Sequence, residues 1–573
     1  KFPMFLTKTA GFAVLAVALT AYQLFPDLLQ YIESPRVGGE ASFIAKLKAQ
    51  PLFTFSDEVL RFTTTFRAFG SDMLGTGSNF KGWQNYLEAP LFYCGIFCLV
   101  TFPQVFSSFT KKQKIAYSIL TGLFVLPILF PYFRNAFWAF TGDYFRTFSL
   151  FIALLLLIFS VKALHHIIKA ERLNKVVLGV TVLMLLLLLY TPAAQFKPAI
   201  NQGYRTLVTV FIFIYAGLLV GLTSKGTAGT SKIVLMLVCF FELIYTANTT
   251  VNKRSVITSQ ELTNKVGYND YSVDAIKLLK DTDKSFYRIN KDFGSGLAIH
   301  RSINDAKVQG YYGTTSYYSF NQKNYIKFLG DFNVINPKDE NATRWASGIE
   351  NRPLLFSLLS GKYWLSKRPD NYLKGFGYDS IAQFGDVKVL RNRYSLPLGF
   401  ASDIVLDESS FKKLSPTQKD LVALRGLVVA NEDADLLSFT KRFNLADTAK
   451  PFSFAQYAQY VKELKKDSLT ITQFKESDIK GNITVSAPKI LFFSIPYDEG
   501  WKATVNNADA KLYRVNAGLT GLKILTGKST VELKFEPRYM KKGMLVSILA
   551  LLVLVGLLII ERLRTKKTTV TLE

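Results

Sequence analysis

The chain has 573 residues and is 49% hydrophobic, with a mean hydropathy of +0.18. That is too apolar for a soluble protein and too polar for one lying wholly in a membrane. The net charge of +26 does not call for nucleic acid, because much of the basic excess sits in short loops beside apolar runs, where lysine and arginine set topology.

Eight apolar runs in chain order predict membrane helices: Thr9–Phe25, Pro90–Phe106, Ile115–Phe133, Thr147–Leu164, Val176–Tyr190, Leu207–Leu222, Ile233–Tyr245 and Met544–Ile560. The basic residues between them fall on one side. They are Lys8, then Lys111, Lys112 and Lys114, then Lys169, Arg172 and Lys175, then Lys225 and Lys232, and a tail with Arg562, Arg564, Lys566 and Lys567. By the positive-inside rule that side is cytoplasmic. The opposite face then receives Pro26–Ala89, Pro131–Arg146, Thr191–Arg205 and Ala247–Lys542.

The expected fold is an α-helical polytopic membrane domain, plus an α/β extracytoplasmic domain that ends in a β-sandwich and is closed by a C-terminal transmembrane helix. In residues, this is a membrane domain over 1–246 with about seven helices and a long outer loop at 26–89. An extracytoplasmic α/β region follows over 247–467, an extracytoplasmic β-sandwich over 468–541, and a final helix with a basic cytoplasmic tail over 542–573.

Within 26–89, Leu52, Phe53, Phe55, Leu60, Phe62 and Phe66 among polar residues predict amphipathic helices lying at the membrane interface. Glycines at 70, 75, 77 and 82 mark turns, and LGTG at Leu74–Gly77 reads as a turn, because no strand precedes it. In the polar domain, Ser272–Leu279, Pro416–Leu424 and Phe452–Lys466 read as helices. Tyr287–Asn290, Lys362–Ser366 and Val387–Leu390 read as strands. From Leu469 to Phe535 strands follow one another, with Val531, Leu533 and Phe535 alternating with Glu532, Lys534 and Glu536, and with turns at Asn506-Asn507 and Thr526–Lys528.

Cys94, Cys98 and Cys239 all lie in predicted spans, so the polar domain has no disulfide to draw on. The only histidines are His165, His166 and His300, which argues against a histidine zinc site or a Ser–His–Asp triad. Lys1 leads straight into an apolar run, so the chain is expected to begin within a longer membrane domain.

The segments SIPYDEGWKATVNN (Ser494–Asn507), VNAGLTGLKI (Val515–Ile524) and GKSTVELKFEPRYMKKG (Gly527–Gly543) resemble the C-terminal signature of the bacterial YfhO-type membrane proteins. FYRIN at Phe286–Asn290, GKYWLSK at Gly361–Lys367, LPLGF at Leu396–Phe400, LFPDLLQYIESPR at Leu24–Arg36 and GDYFRTFSLF around Arg146 agree, in the same order. That family is similar to the GT-C glycosyltransferases, which take a sugar from a polyprenyl-phosphate carrier on the outer membrane face. The resemblance implies a bacterial cytoplasmic-membrane glycosyltransferase whose acceptor is a cell-envelope polymer of the teichoic-acid kind. Its partners would be the polyprenyl-phosphate-linked sugar, that acceptor and the lipid bilayer, without nucleic acid. No cofactor is implied, and a divalent cation is left open. The principal catalytic acid of GT-C enzymes follows their first span, so it is expected upstream of Lys1.

A carrier phosphate at the membrane boundary needs cations, and the arginine fork suits it. The outer-face candidates are Arg36, Arg61, Arg67, Arg134, Arg146, Lys197 and Arg205, with Arg36, Arg146 and Arg205 foremost as donor-phosphate ligands. Each could instead anchor to lipid headgroups. Sugar transfer to a hydroxyl needs a carboxylate base. Asp27, Glu33, Asp57, Glu58, Asp72, Glu88 and Asp143 are available, with Glu33 and Asp143 chosen as catalytic. Glu33 and Arg36 at i,i+3 would share a helix face, although Pro35 disfavours helix at Ser34, and an ordinary surface pair is the plainer reading.

Glu242 inside FFELIY must face a partner or a watery cavity, by function or as a structural hydrogen bond. Trp501 and Tyr497 are possible acceptor contacts, as are Tyr311, Tyr312, Tyr317 and Tyr318; core packing is the alternative for all of them. The competing functions are a non-catalytic membrane-anchored protein that binds envelope glycan or protein, and a transporter. The first is disfavoured by seven spans where one would anchor, and the second by few intramembrane charges and no inverted repeat.

Overall fold

A computed structural model describes residues 2–39, 42, 51–75, 80–82, 92–138, 140, 144–191, 199–252, 258–296, 303–349, 351–449 and 453–570. The chain divides into two compact units, one made of Lys1–Ala45 with Thr258–Glu573 and the other of Lys46–Ile257. The first apolar run therefore groups with the polar domain.

That run does not form one straight helix. Helix α1 (Phe2–Leu19) stops at Thr20, and α2 (Ala21–Glu33) leaves at 80°. The Thr20 hydroxyl donates to the Val17 carbonyl, a local bond that competes with the helical ladder.

In the helical unit, α3 (Glu58–Ala68) is capped by Asp57, whose carboxylate accepts from the Leu60 amide. It is followed by α4 (Ile96–Thr101), α5 (Lys111–Leu129), α6 (Pro131–Phe137), α7 (Phe145–Ala170), α8 (Lys175–Leu189), α9 (Gln202–Gly221) and α10 (Ala228–Asn252). The predicted span Ile115–Phe133 breaks at Phe130, which is extended (φ −124°, ψ 113°) because Pro131 follows it, and α5 and α6 meet at 114°.

The eight apolar runs are thus of unequal kind. Among the described residues, Thr147–Ala170, Gln202–Gly221, Ala228–Asn252 and Met540–Leu563 are long and apolar enough to cross a membrane. The two bent pairs would raise that to six, while Ile96–Ser108 and Lys175–Leu189 are shorter. Helix α3 buries Phe62 and Phe66 with Val100, Ile212, Tyr215 and Leu219 in the core of the helical unit.

In the polar domain a short helix over Ser259–Thr263 precedes α11 (Ser272–Thr282). Strands β1 (Arg288–Lys291), β2 (Ser316–Tyr317), β3 (Trp345–Ala346), β4 (Gly361–Ser366), β5 (Tyr378–Phe384) and β6 (Val387–Asn392) come next. β2 and β3 pair with each other, and the rest form a sheet ordered β1-β4-β6-β5, in which β1 and β4 run parallel. Strands β7 (Gly399–Ser402), β8 (Ile404–Asp407), β9 (Leu427–Val429) and β10 (Lys441–Arg442) follow, with α12 (Pro416–Ala423) between β8 and β9 and α13 (Phe454–Lys466) after β10.

The last eight strands are β11 (Thr470–Lys475), β12 (Asp478–Val485), β13 (Lys489–Pro496), β14 (Trp501–Val505), β15 (Ala508–Ala510), β16 (Leu512–Val515), β17 (Leu519–Ile524) and β18 (Gly527–Phe535). They do not make a sandwich by themselves. β13, β16 and β17 join a seven-stranded sheet ordered β10-β8-β9-β16-β17-β13-β7, whose other strands lie before residue 468. The facing five-stranded sheet is β11-β12-β18-β14-β15. Leu491, Phe493 and Leu522 of the first sheet and Ile479, Ile483 and Leu533 of the second share one buried cluster. Asn506 and Asn507 make the β14–β15 turn with φ of 51° and 67°, as a tight two-residue hairpin requires.

Helix α14 (Met540–Val570) closes the chain against α1 and α2. Ser547 Oγ accepts from the Tyr22 amide at 3.0 Å and donates to the Ala18 carbonyl at 3.2 Å. At Gly543 a Cβ would collide with the Ala21 carbonyl, so only glycine allows this approach.

Candidate functional site

Three places gather the residues that chemistry would need. The first is the end of α2. Ser34 is extended (φ −61°, ψ 148°), as the proline after it demands, and a new helical turn starts at Pro35. Glu33 and Arg36 consequently fall on opposite sides of a break, and the expected pair does not form. Glu33 accepts from Arg538 and meets Lys323 Nζ at 3.1 Å, while Arg538 also holds Glu499 at 2.7 Å. Arg36 pairs with Glu340 at 3.2 Å and covers the Phe320 ring. Gln30 donates to the Phe320 carbonyl at 3.1 Å, and Tyr31 packs edge-on against the Phe320 ring. One α2 end is thus bound by partners from the polar domain.

The second is Glu242 on α10, which is 2% exposed. Its Oε1 accepts from the Tyr93 hydroxyl and the Ile96 amide, and its Oε2 from the Tyr215 hydroxyl, each at 2.6 Å. The Ile96 amide opens α4, so the carboxylate sits where the unpaired amides of that helix point. Gly95 makes the approach with φ of 94°. Every donor is neutral, and the arrangement satisfies both carboxyl oxygens rather than exposing them.

The third is an apolar groove of about 440 Å³ in the helical unit, lined by Thr64 and Ala68 of α3, Leu99 of α4, Pro103, Ile152 of α7 and Met184 of α8. Arg61 lies one turn before Thr64 and Thr65 on the same face of α3, exposed, with its guanidinium 5.5 Å from the Phe55 ring centre. The groove is mainly apolar, and Arg61 stands one helical turn from two of the threonines that line it.

The remaining predicted residues are distributed otherwise. Arg205 stacks over Tyr190 at 4.2 Å. Arg67 and Arg134 are buried, Arg67 donating to the Gly75 carbonyl at 3.1 Å and Arg134 to the Pro127 carbonyl at 2.7 Å. Asp72 accepts from Asn201 at 3.3 Å. Arg146 belongs to the first turn of α7, but its side chain lies outside the described residues, as do Asp143, Glu88, Lys197 and His300.

Trp501 packs on Phe535 at the edge of the sandwich core. Tyr497 lines a pocket of about 240 Å³ with Lys323, Asp433 and Arg514. Tyr317 packs on Trp345. Among the described residues no group of three His, Cys, Asp or Glu side chains is placed to hold a metal ion. The partners that residue-level reading missed are Arg538 and Lys323 for Glu33, and Tyr93 and Tyr215 for Glu242. None has a local signal, because each is brought in by tertiary packing.

These features define a helical membrane protein carrying a large mixed α/β domain. The family described as bacterial membrane protein YfhO matches residues 5–454 and 452–547, and the chain belongs to that family. Among curated proteins it is similar to the uncharacterized protein YfhO of Bacillus subtilis (strain 168), with 21% identity over 407 residues. That match takes in 52% of this chain and 46% of the relative, so the chain spans about half the length of the curated relative it matches. No solved structure matches.

Proposed function

We propose that the protein is a membrane glycosyltransferase that moves a sugar from a polyprenyl-phosphate carrier to a cell-envelope acceptor, with its α/β domain on the outer face. The groove beside α3 carries this reading. A polyprenyl tail needs apolar walls among membrane helices, and its phosphate needs a cation at the boundary. Ala68, Leu99 and Met184 supply the walls, and Arg61 supplies the cation. Arg146 and Arg205 of the same unit are further phosphate ligands in this proposal, and Asp143 is its base. Glu33 serves as a base only if it is released from Arg538 and Lys323. The basic cluster in the last turns of α14 supports the orientation.

That engagement of Glu33 favours a second reading, in which the protein binds envelope glycan without transferring sugar. A photoactivatable, labelled polyprenyl-phosphate sugar presented to the full chain in liposomes separates the two. The transferase reading expects cross-links within Glu58–Ala68, weakened about tenfold by Arg61→Ala, together with label passing to an added envelope polymer. Absence of both sinks the lipid-carrier proposal and favours the binding protein, and donor capture without transfer overturns the transferase step alone.

A further inference from the structure

The polar domain carries a second concave feature that the transferase reading does not use. It is a cleft of about 940 Å³, open to solvent, where the turn before β1, the ends of β4 and β6, the end of α13 and the start of β11 come together. Five cations line it: Lys284, Lys362, Arg391, Arg393 and Lys465. No carboxylate is among the described residues that line it. Two of the five have an outside partner, since Lys362 meets Asp283 at 2.6 Å and Arg393 meets Asp379 at 3.0 Å. Lys284 and Lys465 bond only to backbone carbonyls, of Lys280 and Arg393, and with Arg391 they form no ion pair among the described residues. Desolvation, and then the charge of Lys362, lower the Lys465 pKa from its ordinary value.

The same cleft has an aromatic side. Phe286 and Phe474 line it with ring centres 4.9 Å apart, and Tyr312, which is 44% exposed, stands against both, at 5.1 Å from Phe286 and 5.9 Å from Phe474. Cations without counter-charge hold phosphate or carboxylate, and an aromatic face takes the C–H side of a sugar or polyol. A single small anion would leave most of this volume empty. The combination suits a linear polymer with charge in every repeat and a sugar attached beside the charges.

We infer that this cleft binds a strand of anionic glycan, with phosphate on Lys284, Arg391 and Lys465 and a sugar ring on Phe286 and Phe474. The inference rests on the transferase reading only in making that strand the acceptor. Binding needs no donor, so the two fail separately.

The test uses the full chain in detergent and a fluorescent glycerol-phosphate oligomer with and without glucosyl substituents. Binding is expected to weaken steeply with salt and to be tighter for the glucosylated oligomer. Lys284→Ala with Arg391→Ala is expected to lower affinity for both oligomers about tenfold. Phe474→Leu is expected to remove the preference for the glucosylated one, and Arg391→Lys to retain most of the binding. Thermal unfolding of each variant shows that the fold is intact. Unchanged affinity in the double variant overturns the inference. So does equal binding of a neutral glycan, and so does equal binding of single-stranded DNA or of anionic lipid vesicles, which would mean a surface that takes any polyanion.

Discussion

Glu242 and Glu33 both stand on apolar helices and both are saturated, but by different chemistry. Glu242 is buried within the helical unit and receives three neutral donors, two tyrosine hydroxyls and a helix amide. Glu33 has a side chain 26% exposed at the end of α2 and receives two cations, Arg538 and Lys323. Depth explains the difference. Burying a cation beside Glu242 would carry a large desolvation cost, whereas tyrosine hydroxyls bring donors whose removal from water costs far less. At the edge of the polar domain, water already screens the pair, and long cationic side chains reach it cheaply.

The contrast is broken most directly at its buried end. Glu242→Leu leaves the Tyr93 and Tyr215 hydroxyls and the Ile96 amide without an acceptor. With about 1–3 kcal/mol for each unsatisfied buried group, the loss should be on the order of 4 kcal/mol. Glu242→Gln keeps an acceptor and should cost roughly half as much. Thermal unfolding in detergent ranks the two, and equal midpoints for Gln and Leu would show that the hydrogen bonds are not what holds α4 to α10.

Next in size is a steric change at the membrane end of the polar unit. Gly543→Val forces side-chain atoms into the Ala21 carbonyl and should cost about 2–3 kcal/mol through displacement of α14 from α2. Gly556, with open space around it on the same helix, is the control: Gly556→Val should be near neutral. A cysteine pair bridging α1 and α14 should cross-link less readily in Gly543→Val than in the unaltered chain.

These two sites also show what the residue pattern could reveal. The apolar runs lie on helices because apolarity over a dozen or more residues is a local property, and the alternation of Val531 and Leu533 reads directly as a strand facing the sandwich core. The proline effect at Ser34 was legible for the same reason. Its consequence was not, because Arg538 reaches Glu33 from 505 residues away. The seven-stranded sheet is hidden similarly. β8 and β9 pair in parallel across α12, and β16 joins β9 from another segment, a nonlocal choice that strand periodicity does not encode. The groove beside α3 needed the positions of α4, α7 and α8 before Thr64 and Ala68 had any meaning.

At the exposed end, Glu33→Gln should cost less than about 1 kcal/mol, the range of a partly exposed ion pair. Arg538→Met should cost a similar amount, and the double variant less than the sum, with a coupling of about 0.5 kcal/mol that shrinks in high salt. A coupling several times larger would mean that the α2 end is drier than its exposure indicates, and would move Glu33 into the class of Glu242.

Asp435 extends the series fully into water. Its side chain is 47% exposed, paired with Lys523 at 2.8 Å and accepting from the Tyr513 hydroxyl at 2.6 Å. The Lys523 hydrogen bond, and then that of Tyr513, hold its carboxyl down at about 2, below the 3.8 of a free aspartate. The folded state therefore binds the proton more weakly than the unfolded chain. The contribution of Asp435 is complete above about pH 4 and disappears as the pH falls through 2. Asp435→Asn should lie slightly below the unaltered chain at neutral pH, and the two stability curves should converge between pH 4 and pH 2. High salt should narrow the neutral gap, since the pair is screened. A gap that stays constant down to pH 2 would mean that the asparagine disturbs packing rather than charge, and that depth alone does not order the three carboxylates.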